Sequence, residues 1–204
     1  MNALEMATAE RTDLADLLET LMRQQWEAPS LCAGWRVRDV VAHVMSFDVR
    51  PMGMLRRAIR GRMVHINQAG VEELALLSTD QLLERLRAHL RPQGLAVTFG
   101  GRLALLDVTI HHQDIRRPLG LPREIPAERL RPVLDYSVRS LELPAWRIAR
   151  GVHLTTSDLD WSHGSGPEVS GPAEAMLMAI TGRACAVGEL TGPGQPVVAA
   201  RLAR

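Results

Sequence analysis

The 204-residue chain contains no lysine, so all 24 of its basic residues are arginine. Acidic residues number 23, and the net charge of +1 provides no strong field that would attract nucleic acid or an anionic membrane. Aromatic residues make up only 3% of the chain, but hydrophobic residues make up 46%, which is enough for a well-packed core. The composition therefore favours a globular protein with a well-packed core.

Cysteines and long apolar runs are also scarce. Cys32 and Cys185 are far apart in the sequence and do not have the spacing of metal ligands. Nothing suggests a secreted disulfide scaffold, but the sequence does not decide whether these two residues form a disulfide. No apolar run approaches the ~20 residues that a membrane helix needs. The first residues, MNALEMATAERTD, place charges where a signal peptide would be apolar. We expect a cytoplasmic protein without a membrane or nucleic-acid partner. The sequence does not decide whether the protein is a homodimer.

Two segments near the start of the chain carry a helical pattern of apolar residues. In residues 8–25 and again in residues 36–49, leucines or valines recur at positions i, i+3, i+4 and i+7. Pro29 and Gly34 separate the two segments. Pro51 perturbs the second helix, which we expect to resume beyond it.

Two further helices follow. Ser78 and Gln81 have the spacing of a capping box, which predicts a third helix that extends to about Leu90. A fourth helix is predicted over about 102–115, before Pro118. Four helices with one longer connection indicate a four-helix bundle.

The pattern changes in the last third of the chain. Residues 152–156 have the composition of a strand, 164–171 are rich in turn residues, and 172–181 predict a short helix. The sequence therefore predicts a mainly α fold, with a metal-binding helical bundle in residues 1–122 and a small α+β region in residues 123–204.

Three polar residues on the predicted helices could form a metal site. Asp107 and His111 are four residues apart and lie on one face of a helix, and His43 could add a third ligand from a facing helix. Two imidazoles and one carboxylate suit a divalent ion that keeps positions open for water or substrate. A simpler interpretation makes His43 a core or boundary residue, and the stripe of Asp107, His111 and Asp114 an exposed helix face.

Several neighbours of these residues have open roles. Asp39 lies one turn before His43, and Asp114 lies three residues after His111, so either carboxylate could orient a ligand imidazole. Asp39 could equally pair with neighbouring arginines. His112 is rotated by ~100° from His111 on a helix, so the two are not expected to bind one ion.

The same segments resemble a known family. WEAPSLCAGW, with the Asp39 and His43 that follow it, is similar to the start of the mycothiol-dependent maleylpyruvate isomerase family, which belongs to the wider DinB-like superfamily. DVTIHHQDIRRPLG at 107–120 resembles the second metal segment of that family. DWSHGSG at 160–166 and TGR at 181–183 resemble its C-terminal part. Together these matches span most of the chain.

The resemblance implies a DinB-like bundle in which His43, Asp107 and His111 bind a divalent ion, with zinc as the first choice. The family has glutamate where this chain has Asp107, which is one methylene shorter and could alter the affinity. The implied cofactor is mycothiol, a low-molecular-weight thiol, and the implied reaction is isomerisation or thiol S-transfer on a small electrophilic substrate. A metal-bound thiol would ionise, add to a double bond and leave again after rotation.

Residues outside the three ligands receive weaker assignments. Arg183, in the TGR segment, is the catalytic candidate because a planar guanidinium can bind a carboxylate of the substrate or thiol; its alternative is a surface arginine at a helix end. Cys32 lacks a recognisable base partner, and Trp35 precedes a helix, so we interpret both as packing residues. Two other functions stay open: a non-catalytic metal or small-ligand binding protein, and a structural or regulatory protein with an empty site.

Overall fold

The computed structural model describes residues 1–46, 48, 66–141 and 143–203. These residues divide into two units, Met1–Arg123 and Glu124–Arg204. The first unit is helical, and the second combines helices with a small sheet. The predicted fold class, a mainly α bundle followed by a small α+β part, is confirmed.

The described helices of the first unit are α1 (Ala3–Thr20), α2 (Arg23–Trp26), α3 (Val37–Ser46), α4 (Ile66–Leu74), α5 (Thr79–Ala88) and α6 (Arg102–Leu119), with a 3₁₀ segment, Gly94–Gly101, before α6. Both α1 and α3 pack against α5 and α6, which makes these four helices a bundle; α3 also contacts α4. The continuation of the second helix predicted beyond Pro51 lies outside the described residues. None of the described helices combines the length and the apolar composition that a membrane crossing requires.

Helix α1 begins earlier than the apolar pattern predicts because Asn2 caps it. The Asn2 side chain accepts a hydrogen bond from the Glu5 backbone, and the Glu5 side chain accepts one from the Asn2 backbone. The helix ends at Thr20, since Leu21 is extended, and the following turn forms the separate helix α2. At α5, Ser78 makes the predicted capping box.

Helix α6 continues past its predicted end, with Pro118 inside its last turn. Proline has no N–H to donate to the carbonyl four residues earlier, which belongs to Asp114. The backbone N–H of Leu31 donates to that carbonyl instead, at 3.0 Å. Gly120 then ends the helix in the left-handed conformation, with a φ of 65°. The loop before α3 is therefore attached to α6 at Asp114.

The interior of the bundle is aliphatic. Its fully buried side chains include Leu14, Leu18, Val40, Val41, Leu82, Leu86, Val108 and Ile115. Burial of each such side chain stabilises the fold by about 1.5–3 kcal/mol relative to leaving it exposed. Arg11 and Asp48 form a buried, bidentate ion pair, and Arg11 also donates to the carbonyls of Val44 and His89. This ion pair links α1 to the ends of α3 and α5.

The described elements of the second unit are α7 (Ala127–Ser137), α8 (Ala145–Ala149), β1 (His153–Thr156), β2 (Ser162–Gly164), β3 (Glu168–Gly171), α9 (Ala173–Ile180), a 3₁₀ segment (Ala184–Glu189) and α10 (Gln195–Leu202). Strand β1 is central, antiparallel to β2 and parallel to β3, with Leu154 opposite His163 and Val169. The segment predicted as turns, 164–171, thus includes β3. A Cβ at Gly164 would lie 2.4 Å from the Val152 carbonyl oxygen, so its glycine permits the close approach of the chain.

Candidate metal centre

His43, Asp107 and His111 converge between α3 and α6. Asp107 and His111 lie one turn apart on α6, and His43 faces them from α3. Asp107 Oδ1 is 3.5 Å from His43 Nε2 and 3.5 Å from His111 Nε2. The imidazole centroids are 4.7 Å apart and the rings are nearly perpendicular, at 83°. The structure thus brings together the three residues that the sequence suggested as ligands.

The spacing of these donor atoms fits a shared ion. A distance of 3.5 Å is longer than the ~2.7–2.9 Å of a charge-assisted hydrogen bond between nitrogen and a carboxylate. Two donor atoms on a tetrahedral zinc ion, each bonded at about 2.0–2.1 Å, lie roughly 3.3–3.5 Å apart. Two imidazoles and one carboxylate are also the protein ligands of an open zinc site. The residues present therefore fit the divalent ion that the sequence suggests.

The cluster is most accessible at its carboxylate. The exposed fractions of the side chains are 5% for His43, 12% for His111 and 22% for Asp107. Burial disfavours the ionised form of Asp107, but the neighbouring imidazoles of His111 and His43 outweigh it and hold the pKa of Asp107 well below its usual value. Burial also disfavours the charged form of His111, but Asp107 and then Asp114 outweigh it and raise the pKa of His111. The carboxyl group of Asp107 is thus ionised, which is the form that binds a metal ion.

The other ring nitrogen of His111 contacts Asp114. Nδ1 lies 2.9 Å from Asp114 Oδ2, and Asp114 is fully buried. A carboxylate oxygen at this distance accepts the Nδ1–H, so Nε2 is the ring nitrogen directed at Asp107. This contact supports the predicted role of Asp114 in orienting a ligand imidazole.

Cys32 also reaches this part of the site. Its thiol donates to Asp114 Oδ2 at 3.1 Å, and its Sγ lies 3.6 Å from His111 Nδ1. The sequence interpretation of Cys32 as a packing residue missed this contact. No local motif could have signalled it, because the contact joins the loop before α3 to residues about eighty positions later and depends on how that loop folds.

Trp35 lies against the other imidazole. Its ring is 4.9 Å from that of His43, tilted by 46°, and its Nε1 donates to Gln68 on α4 at 3.1 Å. The residue was interpreted as packing at a helix entrance. The structure shows that Trp35 packs against the imidazole of His43, a candidate metal ligand, and shields it from solvent.

Asp39 makes the contacts of its alternative interpretation. Its carboxylate accepts hydrogen bonds from the backbone N–H and the Nε of Arg36, both at 2.9 Å. None of its hydrogen bonds among the described residues goes to His43, the role that the spacing first suggested. The physical reason is its place in the first turn of α3, where a carboxylate satisfies a backbone N–H that has no helical partner.

His112 belongs to a separate buried network. Its Nδ1 lies 3.0 Å from Glu10 Oε1, and its Nε2 accepts from Arg116 Nε at 2.9 Å. Because guanidinium is only a donor, Nε2 carries no proton and His112 is neutral. Burial lowers the pKa of His112 to about 4. Burial also opposes ionisation of Glu10, but His112 and Arg123 outweigh it and lower the pKa of Glu10 to about 2. His112 is thus bound to α1, away from the partners of His111.

Arg183 lies in the second unit, directly after α9. Its Nη1 donates to the Thr181 carbonyl at 2.8 Å. This contact fixes one edge of the guanidinium near the helix end, in keeping with the alternative interpretation of a residue at a helix terminus. Its role with an anionic ligand stays a prediction.

Comparisons with known proteins identify relatives of the chain. Residues 7–92 match the mycothiol maleylpyruvate isomerase N-terminal domain family. No curated protein matches the sequence significantly. Two crystal structures of the mycothiol-dependent maleylpyruvate isomerase, one of a histidine-to-alanine variant, superpose with a TM-score of 0.66 each, at 16% and 15% sequence identity. Each superposition covers 95% of this chain and 92% of the other.

These matches confirm the resemblance that the sequence motifs indicated. The superposition extends over nearly the whole chain and shows that the chain shares the fold of the solved isomerases. The sequence match is confined to the first unit and includes His43 but ends before Asp107. Residues 7–92 are therefore similar to the N-terminal domain of mycothiol maleylpyruvate isomerases, and the chain shares the fold of the two solved isomerases.

Proposed function

We propose that this protein binds one divalent metal ion, preferentially zinc, through His43, Asp107 and His111. The observation that carries the proposal is the convergence of two imidazole nitrogens on one carboxylate oxygen, each at 3.5 Å. That spacing suits donors around an ion better than a direct hydrogen bond. Three protein ligands leave coordination positions for substrate or thiol, as in catalytic zinc sites.

The residues around the three ligands have complementary tasks. Asp114 accepts the Nδ1–H of His111 and so directs Nε2 at the ion. Trp35 covers His43 and limits its contact with water. Asp107, with 22% of its side chain exposed, is the part of the cluster nearest to solvent and defines where a ligand can enter.

The reaction proposed for this centre is a mycothiol-dependent isomerisation or S-transfer on a small electrophilic substrate. It is supported by the family match of residues 7–92 and by the fold shared with solved mycothiol-dependent maleylpyruvate isomerases. When bound, the ion lowers the pKa of a thiol that coordinates it and polarises a substrate carbonyl. Arg183 is proposed to bind an anionic group of the substrate or the thiol.

The metal content of the purified protein tests this assignment. We expect about one zinc ion per chain in the wild-type protein. His43→Ala and His111→Ala should each lose most of the metal, and the double variant should lose all of it. His89→Ala is the matched control, since His89 lies at the end of α5 and contacts the Arg85 carbonyl, outside the cluster. A double variant as rich in metal as the wild type would refute the assignment.

A non-catalytic metal or small-ligand binding protein is the second candidate. The observation that favours it is Asp107, because aspartate has a shorter reach than the glutamate of the family pattern and is held by imidazoles on two helices. Under this alternative the protein retains its metal but gives no thiol-dependent turnover. Absence of bound metal, with zinc supplied, would instead favour a structural or regulatory role.

A further inference from the structure

We infer that Cys32 is a positioning residue of the metal centre: its thiol and the Asp114 carboxylate together fix the imidazole of His111. The inference rests on the proposed function, in which His111 binds the ion. In this role Cys32 acts neither as a nucleophile nor as a metal ligand.

The side-chain contacts form a short chain of donors and acceptors. Asp114 Oδ2 accepts the Nδ1–H of His111 at 2.9 Å and the thiol of Cys32 at 3.1 Å. The torsion that turns a carboxylate about its Cβ–Cγ bond is soft, so each hydrogen bond to the carboxylate narrows its orientation. A second donor on the same oxygen restrains that rotation. The thiol therefore acts on His111 through Asp114.

The backbone holds the cysteine in place for this contact. Leu31 N–H donates to the Asp114 carbonyl at 3.0 Å, which is accessible to it because Pro118 cannot donate there. Ser30 Oγ accepts from the Cys32 N–H at 3.1 Å and donates to the Trp35 carbonyl at 2.8 Å. Asp114 is thus joined to one loop by both its main chain and its side chain.

The same loop contacts both ligand imidazoles. Trp35 packs on the ring of His43 at 4.9 Å, and Cys32, three residues earlier, reaches His111 through Asp114. A loop that touches both rings can hold them in the orientation that an incoming ion needs, which reduces the entropy lost on binding.

Cys32 also borders the hydrophobic core, so its hydrogen bond must be separated from its packing. Cys32→Ser keeps a donor, whereas Cys32→Ala removes it and keeps the small size. Cys185→Ala, at the exposed cysteine of the second unit, is the matched control. Asp114→Asn removes the charge of the shared acceptor.

The experiment measures Co²⁺ and Zn²⁺ affinity by competition with a chromophoric chelator, together with the visible spectrum of the cobalt protein. We expect Asp114→Asn to weaken binding by about 10–100-fold and Cys32→Ala by about tenfold, with changed cobalt bands. Cys32→Ser should stay within about threefold of the wild type and keep its spectrum. Cys185→Ala should match the wild type.

Three results would overturn the inference. The first is a Cys32→Ala variant that binds metal as tightly as the wild type and has the same spectrum. The second is a Cys32→Ser variant that loses as much affinity as Cys32→Ala, which would show that Cys32 acts only through its packing. An intense thiolate-to-cobalt band that disappears in Cys32→Ala would make Cys32 a ligand itself. Circular dichroism of each metal-free variant checks that it is folded.

A proton NMR measurement separates this inference from the proposed function. The Nδ1–H of His111, identified by its loss in His111→Ala, should give a downfield, slowly exchanging signal in the wild type and in Cys32→Ser. It should exchange faster in Cys32→Ala, with or without metal. If the wild type binds no metal, the proposed function fails, but this signal still decides whether Cys32 positions the ring; identical signals in all three proteins would reject it.

Discussion

Asp107 Oδ1 lies 3.5 Å from the Nε2 of His111, one helical turn away on α6. The same oxygen is 3.5 Å from His43 Nε2 on α3. One carboxylate is therefore the shared neighbour of imidazoles from two helices. The negative charge and the length of the Asp107 side chain contribute separately to the binding of a metal ion by the three residues. Substitutions can distinguish the two contributions.

Asp107→Asn keeps the length of the side chain and removes its charge. We expect it to weaken zinc affinity by more than about tenfold, because a neutral amide attracts the ion far less than a carboxylate. Asp107→Glu keeps the charge, and the partly exposed position leaves room for one methylene. It should therefore stay within about tenfold of the wild type. Chelator competition measures both; unchanged affinity in Asp107→Asn would remove this residue from the site.

The buried network around Glu10 should make stability depend on acid. The folded-state pKa of Glu10, about 2, is below the ordinary 4.5. A carboxyl with a depressed pKa stabilises the fold above about pH 4.5, and this stabilisation is lost as the pH falls toward 2. Between about pH 7 and about pH 3 the contribution of Glu10 should decrease by roughly 2 kcal/mol.

Glu10→Gln tests this dependence through the free energy of unfolding in urea, measured with a chelator present so that metal release plays no part. The variant should be roughly 2–3 kcal/mol less stable than the wild type near neutral pH, since His112 and Arg123 lose an anionic partner. The difference should shrink on acidification. Glu84→Gln, at an exposed position of α5, should follow the wild type. A constant difference at all pH values would contradict the role of Glu10.

Arg183 is predicted to affect ligand binding and not metal binding. Arg183→Ala should weaken binding of mycothiol or an anionic substrate by about tenfold, the effect of one lost charge-assisted contact. Its zinc content should match that of the wild type, because the three proposed ligands are unchanged. Arg147→Ala, at an exposed arginine of the second unit, serves as the control. Equal ligand affinity in all three proteins would assign Arg183 to the helix end alone.

Much of the fold could be predicted because its main signals are local. The apolar periodicity predicts the first two helices, and the capping box at Ser78 predicts the start of α5. Prediction was less accurate where an end depends on another element. Pro118 seemed to terminate α6, but Leu31 supplies the hydrogen bond that lets the helix continue. The strand in 168–171 forms by pairing with β1, which the turn-rich sequence does not encode locally.

The residues of the site also differ in whether their roles could be predicted from local sequence. Helical spacing places Asp107 and His111 on one face of a helix, and the family resemblance identifies these two residues and His43 as the candidate ligands. For Asp39 the spacing leaves two roles open, and the structure shows hydrogen bonds to it from Arg36 at the helix start. The contact of Cys32 with Asp114 depends on how the loop before α3 folds, so no periodic pattern in the sequence predicts it.

Calorimetry of mycothiol with zinc-loaded and metal-free protein, in two buffers of different ionisation enthalpy, tests whether the thiol binds at the metal. A thiol that binds at a cation loses its proton. We therefore predict that mycothiol binds to the zinc-loaded protein, with proton release and weaker affinity at lower pH, and does not bind after metal removal. Equal binding to both forms without proton release would contradict it.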